Sequence, residues 1–348
     1  MASLKPIRII GGGLAGLSLG IGLRRKGIPV AISEAGHYPR HRVCGEFISG
    51  RGQETLARLG LEESLLTAGG VLAETAAFFL GDQSSPVRRL PRPALCLSRF
   101  KMDALLAEHF RGAGGDLHEN ERCREESYDE GMVRATGRRL QARDEGWRWF
   151  GLKVHARNVA LAADLEMHGS RDGYVGFCRL REGEVNVCGL FRRAASSREP
   201  VPRWQELLRG EPGTVLDERM RGAVFDEKSF CSVAGFSLRP QRATARPECS
   251  IGDALTMIPP VTGNGMSMAF EAAELGIEPL AAYSRGETTW AAAREAVARA
   301  CDVAFTRRLT SARWLQWMML TPLLRTALGA VALRSGWLWG TMFARTRD

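Results

Sequence analysis

The sequence predicts an α/β fold with a parallel sheet that begins as a βαβ unit, a mainly antiparallel insert and a helical C-terminus. Three observations lead to this fold class. The N-terminus carries a short apolar run, a glycine-rich turn, a helical stretch and a second apolar run. Residues 151–195 alternate between apolar and polar positions with glycines at intervals, as antiparallel strands and turns do. Residues 264–282 and most of 288–320 have helical patterns.

The βαβ unit is defined by short elements at the N-terminus. Ile7–Ile10 are mostly apolar and end at Gly11, which predicts a buried strand. A helix is expected over 14–26, because basic residues fill its last turn and Gly27 follows. Residues 30–33 form a second apolar run, so the two strands should pair in parallel.

The elements further along the chain follow from the same patterns. Expected in order are a helix over 54–66, strands and loops over 72–97, a helix over 98–111 capped by Ser98, antiparallel strands over 151–195, a short strand over 248–253 and helices over 264–282 and 288–320. Residues 112–150 are polar and favour no single element.

The composition argues against several classes of protein. Hydrophobic residues make up 45% and charged residues 25%, which is ordinary for a globular chain and argues against global disorder. The net charge is +9, but the basic residues are spread along the chain rather than grouped with aromatics, so no nucleic acid partner is expected. No uncharged apolar stretch reaches the ~18 residues of a membrane-spanning helix.

The cysteines are scattered and none has the spacing of a metal-ligand pair, so no metal site is expected. Thiols distributed in this way indicate a reducing compartment. The glycine-rich turn lies so close to the N-terminus that it leaves no room for a signal peptide. A cytoplasmic location is therefore expected.

Residues 11–16 have the sequence Gly-Gly-Gly-Leu-Ala-Gly, a GxGxxG motif between a predicted strand and a predicted helix. The first glycine permits the tight turn, the second lets the backbone approach a pyrophosphate, and the third lets helix and strand pack closely. Glu34 ends the second strand, where an acid accepts hydrogen bonds from an adenosine ribose. The candidate dinucleotide contacts are Gly11, Gly13, Leu14, Ala15, Gly16 and Glu34.

A second motif spans residues 251–266. A short strand ends in Gly-Asp, which places the Asp253 carboxylate beside a ligand hydroxyl or phosphate. A glycine-rich loop then leads into a helix, whose first N–H groups stabilise negative charge. An ordinary turn and helix cap would account for these residue types equally well. The candidate cofactor contacts are Asp253, Gly263, Asn264, Gly265 and Met266, with Pro260 as a substrate contact.

Together, the two motifs resemble the flavoprotein monooxygenases and reductases that share the p-hydroxybenzoate hydroxylase fold. Within that superfamily the chain is most similar to the geranylgeranyl reductase-like branch. The resemblance is carried by residues 42–47 (Arg-Val-Cys-Gly-Glu-Phe), 98–103, 151–155 and 252–265. It implies a Rossmann-like FAD-binding domain with tightly bound FAD.

The resemblance also implies roles and domain limits. The ADP half of FAD would be held by Gly11, Gly13, Gly16 and Glu34, the pyrophosphate and ribityl region by Arg99 and Asp253, and the ring by residues 263–266, with Arg42 as a further contact. The FAD-binding domain would comprise residues 1–70, 96–150 and 235–290, the substrate domain 71–95 and 151–234, and a C-terminal helical segment 291–348.

Two departures from the family pattern concern the reductant and the substrate. Many relatives have an Asp-Gly pair linked to NADPH handling where this chain has Thr136 before a glycine, so NAD(P)H is only one candidate external reductant. Reductase relatives line the substrate cavity with Tyr-x-Trp-x-Phe-Pro. This chain keeps Tyr174, a candidate substrate contact, but has Gly176 in place of Trp. Cys178 and Arg179 replace Phe and Pro.

Cys44, Glu46 and His155 are the candidate catalytic residues. Cys44 lies in the segment near the flavin ring in relatives, where a thiol could donate a proton, although most free cysteines are small buried hydrophobes. Glu46 could act as a general acid or base, or could be a solvated surface carboxylate. His155 could relay a proton, or could have a structural role.

The C-terminal stretch 313–348 contains four tryptophans, with arginines between apolar runs. A basic amphipathic helix with tryptophans can lie in a membrane interface, so peripheral membrane contact is one interpretation of this stretch. A helix pair that closes the substrate domain is the favoured interpretation, because Pro322 and Gly329 divide the stretch into short pieces.

These features predict an FAD-dependent oxidoreductase that acts on a lipophilic small molecule, such as an isoprenoid, a polyketide or another secondary metabolite. Hydride exchange between flavin N5 and a carbon–carbon bond is favoured. The alternative of the same fold is an aromatic monooxygenase that uses O2 and NAD(P)H. The alternative of another class is a non-catalytic flavin-binding or membrane-peripheral partner protein. No oligomeric state is predicted.

Overall fold

The computed structural model describes residues 3–81, 83–123, 129–138, 146–198, 200, 202–321, 335–336, 340–341 and 345. In this part of the chain the strands are β1 (Ile7–Ile10), β2 (Val30–Ser33), β3 (Phe47–Ile48), β4 (Val71–Leu80), β5 (Gln83–Ser84), β6 (Arg88–Cys96), β7 (Asp116–His118), β8 (Met132–Arg134), β9 (Trp147–Arg157), β10 (Leu165–Ser170), β11 (Gly173–Arg179), β12 (Val185–Ala194), β13 (Val224–Ala234) and β14 (Cys249–Ser250). The helices are α1 (Leu14–Arg25), α2 (Arg51–Arg58), α3 (Glu62–Thr67), α4 (Arg99–Gly112), α5 (Trp204–Arg209), α6 (Val215–Met220), α7 (Gly265–Ser284) and α8 (Trp290–Leu320).

Five strands form a parallel sheet in the order β14-β8-β1-β2-β7. β1 pairs with β2 from Ile7 opposite Val30 to Ile10 opposite Ser33, and α1 connects the two strands. This confirms the predicted βαβ unit. α1 is buried over most of its length, because it packs against both α4 and α7.

The other strands form a second sheet in the order β13-β9-β12-β11-β10-β4-β6-β3, with β5 paired to β4. Its pairs are antiparallel except for the parallel pair of β10 and β4. The predicted α/β fold with a mainly antiparallel second sheet and a helical C-terminal part is therefore confirmed. In β9, residues 151, 153 and 155 share one face of this sheet, since side chains alternate along a strand.

Two predicted elements differ from the structure. The single helix expected over 54–66 is two helices, α2 and α3, because Gly60 adopts a φ of +59° and ends the first of them. The strand expected over 248–253 pairs over only two residues, because the chain turns at Gly252, whose φ is +61°.

A buried ion pair joins α7 to α8. Arg308 donates two hydrogen bonds to Glu271, at 2.7 and 2.6 Å. A planar fork of this kind fixes the position of one helix along the other. The C-terminal part of α8 reaches the second sheet, where Leu315 packs in one buried cluster with Trp149 and Tyr174.

The end of α8 is where the predicted tryptophan-rich tail begins. No helix within the described residues is both long enough and apolar enough to cross a membrane. Trp314 and Trp317 are 56% and 57% exposed. The other tryptophans of the tail, Trp337 and Trp339, lie outside the described residues.

Replacing Arg308 by Met is expected to lower the free energy of unfolding by ~3–5 kcal/mol, because the Glu271 carboxylate would stay buried without its main partner. Replacing both residues by Met should recover most of that loss. The measurement is urea unfolding of both variants, with exposed Arg307→Met as the control. A double variant that is no more stable than the single one would contradict this account.

Candidate functional site

One large cavity lies where the two sheets, α7 and α8 meet. Its volume is about 960 Å³, at the upper end of the ~300–1,000 Å³ common for ligand pockets. The sequence-predicted site residues that line it are Gly11, Gly13, Leu14, Ala15, Glu34, Arg42, Cys44, Glu46, Arg99, Tyr174, Asp253, Pro260, Gly263, Gly265 and Met266. Gly16, His155 and Asn264 are buried beside this wall without lining the cavity.

The turn between β1 and α1 leaves room for a ligand at one of its glycines. Gly11 has a φ of +109°, which favours glycine. A Cβ at Gly16 would lie 2.0 Å from the Gly11 carbonyl oxygen, whereas a Cβ at Gly13 would meet no atom within 4 Å. No side chain caps α1 at Gly13. The first N–H groups of α1 are therefore available to an anionic ligand in the cavity.

Glu34 is buried at the end of β2 and holds this same turn. Its Oε2 accepts the N–H of Gly12 at 2.9 Å, and its Oε1 accepts the N–H of Gly36 at 2.9 Å and a hydrogen bond from Arg40. Burial alone would raise the pKa of Glu34, but Gly36 and Arg40 outweigh it and lower the pKa. Glu34 is therefore an ionised acceptor at the cavity wall.

Two arginines at the cavity wall are fixed by one fully buried carboxylate. Asp103 of α4 accepts hydrogen bonds from Arg99 at 2.6 and 2.8 Å and from Arg42 at 3.2 Å. Burial would lower the pKa of Arg99, but Asp103 outweighs it and raises the pKa. Two guanidinium groups against one carboxylate leave a net positive charge, which suits the phosphates of a dinucleotide.

The Asp253 carboxylate and the start of α7 form another part of the wall. No hydrogen bond to the Asp253 carboxylate is found among the described residues, and burial raises its pKa. Gly263 has a φ of +64°, and a Cβ there would lie 2.0 Å from the Phe47 ring. α7 begins at Gly265 without a side-chain cap. Its first N–H groups therefore stabilise negative charge at this wall.

Glu46 and His155, both predicted as catalytic residues, are in direct contact. Glu46 Oε2 lies 2.7 Å from His155 Nε2, and Glu46 Oε1 accepts the N–H of Arg99 at 2.9 Å. Lys153 Nζ lies 3.4 Å from the same Oε1, and the Lys153 and Glu46 side chains are fully buried. Glu46 also has a φ of +60°, a left-handed conformation that few residues other than glycine adopt. The Glu46 carboxylate is thus held in place by two hydrogen-bond partners and one ion pair rather than solvated.

Burial favours the neutral forms of Glu46 and His155, whereas their hydrogen bonds favour the charged forms. Burial would raise the pKa of Glu46, but His155 and Lys153 outweigh it and lower the pKa. Burial would lower the pKa of His155, but its contacts with Glu184 and Glu46 outweigh it and raise the pKa. The pair is therefore favoured as a carboxylate beside an imidazolium.

Three cysteines line the cavity near this pair. Cys188 and Cys231 lie opposite Lys153 on the two neighbouring strands. Burial raises the pKa of Cys231 to about 11. Burial also raises the pKa of Cys44, although Arg99 acts in the opposite direction. Cys44 is thus a thiol that can donate a proton, rather than a thiolate nucleophile.

Apolar residues line the part of the cavity beside the last turn of α8. We define this apolar region by Tyr174, Leu190, Phe236, Val261 and Leu315, which belong to one buried cluster. The Tyr174 hydroxyl is buried and has no hydrogen-bond partner within the described residues. Burial raises the pKa of Tyr174 well above its usual value, so the hydroxyl stays neutral.

The residues along this wall fit the parts of FAD. The uncapped N-terminus of α1 and the free space at Gly13 suit a diphosphate. The ionised Glu34 suits a ribose, and the Asp253 carboxylate suits the hydroxyls of the ribityl chain.

Residues 5–162 match the family described as the FAD binding domain. This match and the fold give FAD as the cofactor of the chain. A curated relative, Conditioned medium factor receptor 1 of Dictyostelium discoideum, is 26% identical over 147 residues, which are 39% of this chain. The match spans only 28% of that protein's length.

Two solved structures define the fold more closely. The flavin-dependent brominase Bmp2 is 17% identical with a TM-score of 0.79, over 98% of this chain and 93% of that chain. A variant of the halogenase PltM in complex with FAD is 16% identical with a TM-score of 0.69, over 97% of this chain and 78% of that chain. At these identities the likeness shows the shared fold, and the reductase-like branch inferred from the sequence is not confirmed by it.

Sequence reasoning missed three residues that complete the site. Glu184 contacts His155 Nδ1 at 3.2 Å from a turn before β12. Lys153 precedes His155 by two positions within the apolar run 149–156, and this spacing indicates that the two side chains share one face of the strand. Leu315 gave no such signal, because its place in the cavity depends on how α8 packs.

Replacing Gly13 by Ala is expected to leave the fold intact but to weaken FAD binding tenfold or more, because the new methyl group would enter space that only a ligand occupies. Gly16→Ala should instead cost ~1–3 kcal/mol of stability, because its methyl group would meet the backbone. Thermal melts of the apoprotein and fluorescence titration with FAD measure the two effects. Unchanged FAD affinity in Gly13→Ala would show that the turn does not face the cofactor.

Proposed function

We propose that this chain is an FAD-dependent oxidoreductase that exchanges a hydride and a proton with a carbon–carbon bond of a lipophilic small molecule. The observation that carries the proposal is that one cavity is lined by the glycine-rich turn, by Glu46 and by the apolar region. When bound, FAD supplies the hydride donor or acceptor. The protein residues bind and orient the substrate, exclude water and handle the proton.

The proton role falls to Glu46. Glu46 belongs to the cavity wall and its buried carboxylate has His155 directly behind it, so a proton given to the substrate can be replaced from the imidazolium. Neighbouring Lys153 and the Arg99 N–H keep the carboxylate in one orientation. General acid catalysis by a positioned group of this kind contributes about 10²–10⁴-fold in rate.

The apolar region and one polar atom suggest the kind of substrate. A buried hydroxyl without a partner costs free energy, and a substrate hydroxyl or carbonyl that bonds to Tyr174 would remove that cost. A Cβ at Gly176 would meet only two carbonyl oxygens, at 3.7 and 3.8 Å, so this position leaves space where reductase relatives have Trp. The substrate we propose is therefore apolar with one neutral polar group.

A second candidate is oxidation or halogenation of such a molecule with O2 as the co-substrate. The observation that favours it is the overall similarity to the flavin-dependent brominase, which extends over 98% of this chain. NAD(P)H is a candidate reductant for either reaction. Thr136 and Gly137 line the cavity at the position where relatives carry their Asp-Gly pair.

Anaerobic reduction with dithionite, followed by mixing with β-ionone, distinguishes these functions. β-Ionone is a lipophilic enone with one carbonyl group, so we expect it to reoxidise the flavin without O2 and to be recovered as the saturated ketone. If only O2 reoxidises the flavin, and ¹⁸O or halide enters an added aromatic compound, the second candidate is correct. A protein that purifies with FAD but reacts with neither would be a non-catalytic flavin-binding protein.

Replacing Glu46 by Gln is expected to slow reduction of β-ionone about 10²-fold or more, because the amide cannot supply the proton. The FAD content should stay unchanged. Exposed Glu63→Gln is the matched control and should react at the wild-type rate. In D2O the wild-type product should carry one deuterium beside the carbonyl. A Glu46→Gln variant with the wild-type rate would assign the proton to another group.

A further inference from the structure

Three side chains form a continuous row from the cavity to the protein surface. Glu46 lines the cavity, and its Oε2 lies 2.7 Å from His155 Nε2. On the other side of the ring, His155 Nδ1 lies 3.2 Å from Glu184 Oε1. The exposed fractions of the three side chains are 0%, 4% and 30% in this order. The His155 imidazole therefore lies between the buried Glu46 carboxylate and the partly exposed Glu184 carboxylate.

The position of His155 is fixed independently of this row. Its backbone N–H donates to the Ser229 hydroxyl at 2.7 Å. In the sheet it lies opposite Asn186 of β12 and Asp226 of β13. Because the strands on both sides hold the backbone, the ring keeps one nitrogen toward each carboxylate.

The charged groups around His155 come from every element packed against it. Glu46 precedes β3, Glu184 precedes β12, Asp226 lies on β13, and Lys153 lies two residues earlier on β9. The His41 ring lies edge-on at 5.2 Å, and burial and Lys153 lower its pKa to about 4, so it is neutral. The carboxylates outnumber the cations, and they favour a protonated imidazole.

We propose that Glu184 is a positioning residue, which accepts the Nδ1–H of His155 and keeps the ring protonated. The His155 Nε2–H is then directed at Glu46, so that His155 and Glu46 together store the proton used in the cavity. The use of this proton in the reaction rests on the proposed function, whereas its storage on His155 does not. In the reductive direction, one proton passes from His155 Nε2 to Glu46 and one from Glu46 to the substrate. The imidazolium becomes a neutral imidazole that keeps its Nδ1–H on Glu184, and this step moves no electrons. The arrangement is that of a carboxylate behind a catalytic histidine.

The test is an NMR titration of the FAD-loaded chain labelled with ¹⁵N-histidine, in which His155→Gln assigns the signal. In the wild type we expect His155 to remain an imidazolium above pH 6.5. Glu184→Gln should lower its pKa by one unit or more, a tenfold weaker affinity for the proton. Glu182→Gln is the matched control, because it lies in the same turn and its side chain is 76% exposed.

The pH dependence of β-ionone reduction provides the second readout. Since loss of the His155 proton removes the reactive form, the alkaline limb should move to lower pH in Glu184→Gln by the same amount as the NMR pKa. An unchanged pKa of His155 in Glu184→Gln, with FAD content and melting temperature as in the wild type, overturns the inference. If His155 titrates as expected but no added compound reoxidises the flavin, proton storage stands and the proposed function fails.

Discussion

A buried carboxylate, Glu46, is the constraint on which this site depends. Removing a carboxylate from water costs several kcal/mol unless donors replace the solvent. Here the three partners come from two separate places: the N-terminus of α4 at Arg99, and Lys153 and His155 on β9. The carboxylate therefore ties the loop after β2 and α4 to the second sheet. If this loop moved, the carboxylate would lose all three partners at once.

The same constraint explains the unusual backbone at this position. A positive φ at Glu46 costs of order 1–3 kcal/mol, and it is retained because the carboxylate has its partners only in this orientation. The next residue, Phe47, begins β3, and its ring occupies the space that Gly263 leaves open. Strain at one residue thus places a carboxylate and an aromatic ring on neighbouring parts of one cavity wall.

The sequence could predict those parts of the site whose residues are close together along the chain. The turn at Gly11, α1 and Glu34 lie within a short stretch of chain, so local patterns specified them. Glu46 and His155 were predicted separately as candidates, but 109 residues separate them and no local pattern expresses their contact. Glu184 was missed because its place beside His155 is set by the pairing of β9 with β12. Strand registers and helix packing of this kind result from the whole fold.

The charges around the buried carboxylate also limit what the cavity can hold. Among the groups in direct contact, Glu46 and Glu184 carry two negative charges, while Lys153 and a protonated His155 carry two positive charges, so these four groups together are neutral, with Asp226 farther out on the neighbouring strand. A neutral cluster offers no net attraction to a second anion, in contrast to the arginines beside the glycine-rich turn. The wall is thus divided into a basic part suited to the phosphates of FAD and a neutral part that can release or take up one proton. A substrate without charge is the one that this neutral part, together with the apolar region, can accept without a further counter-ion.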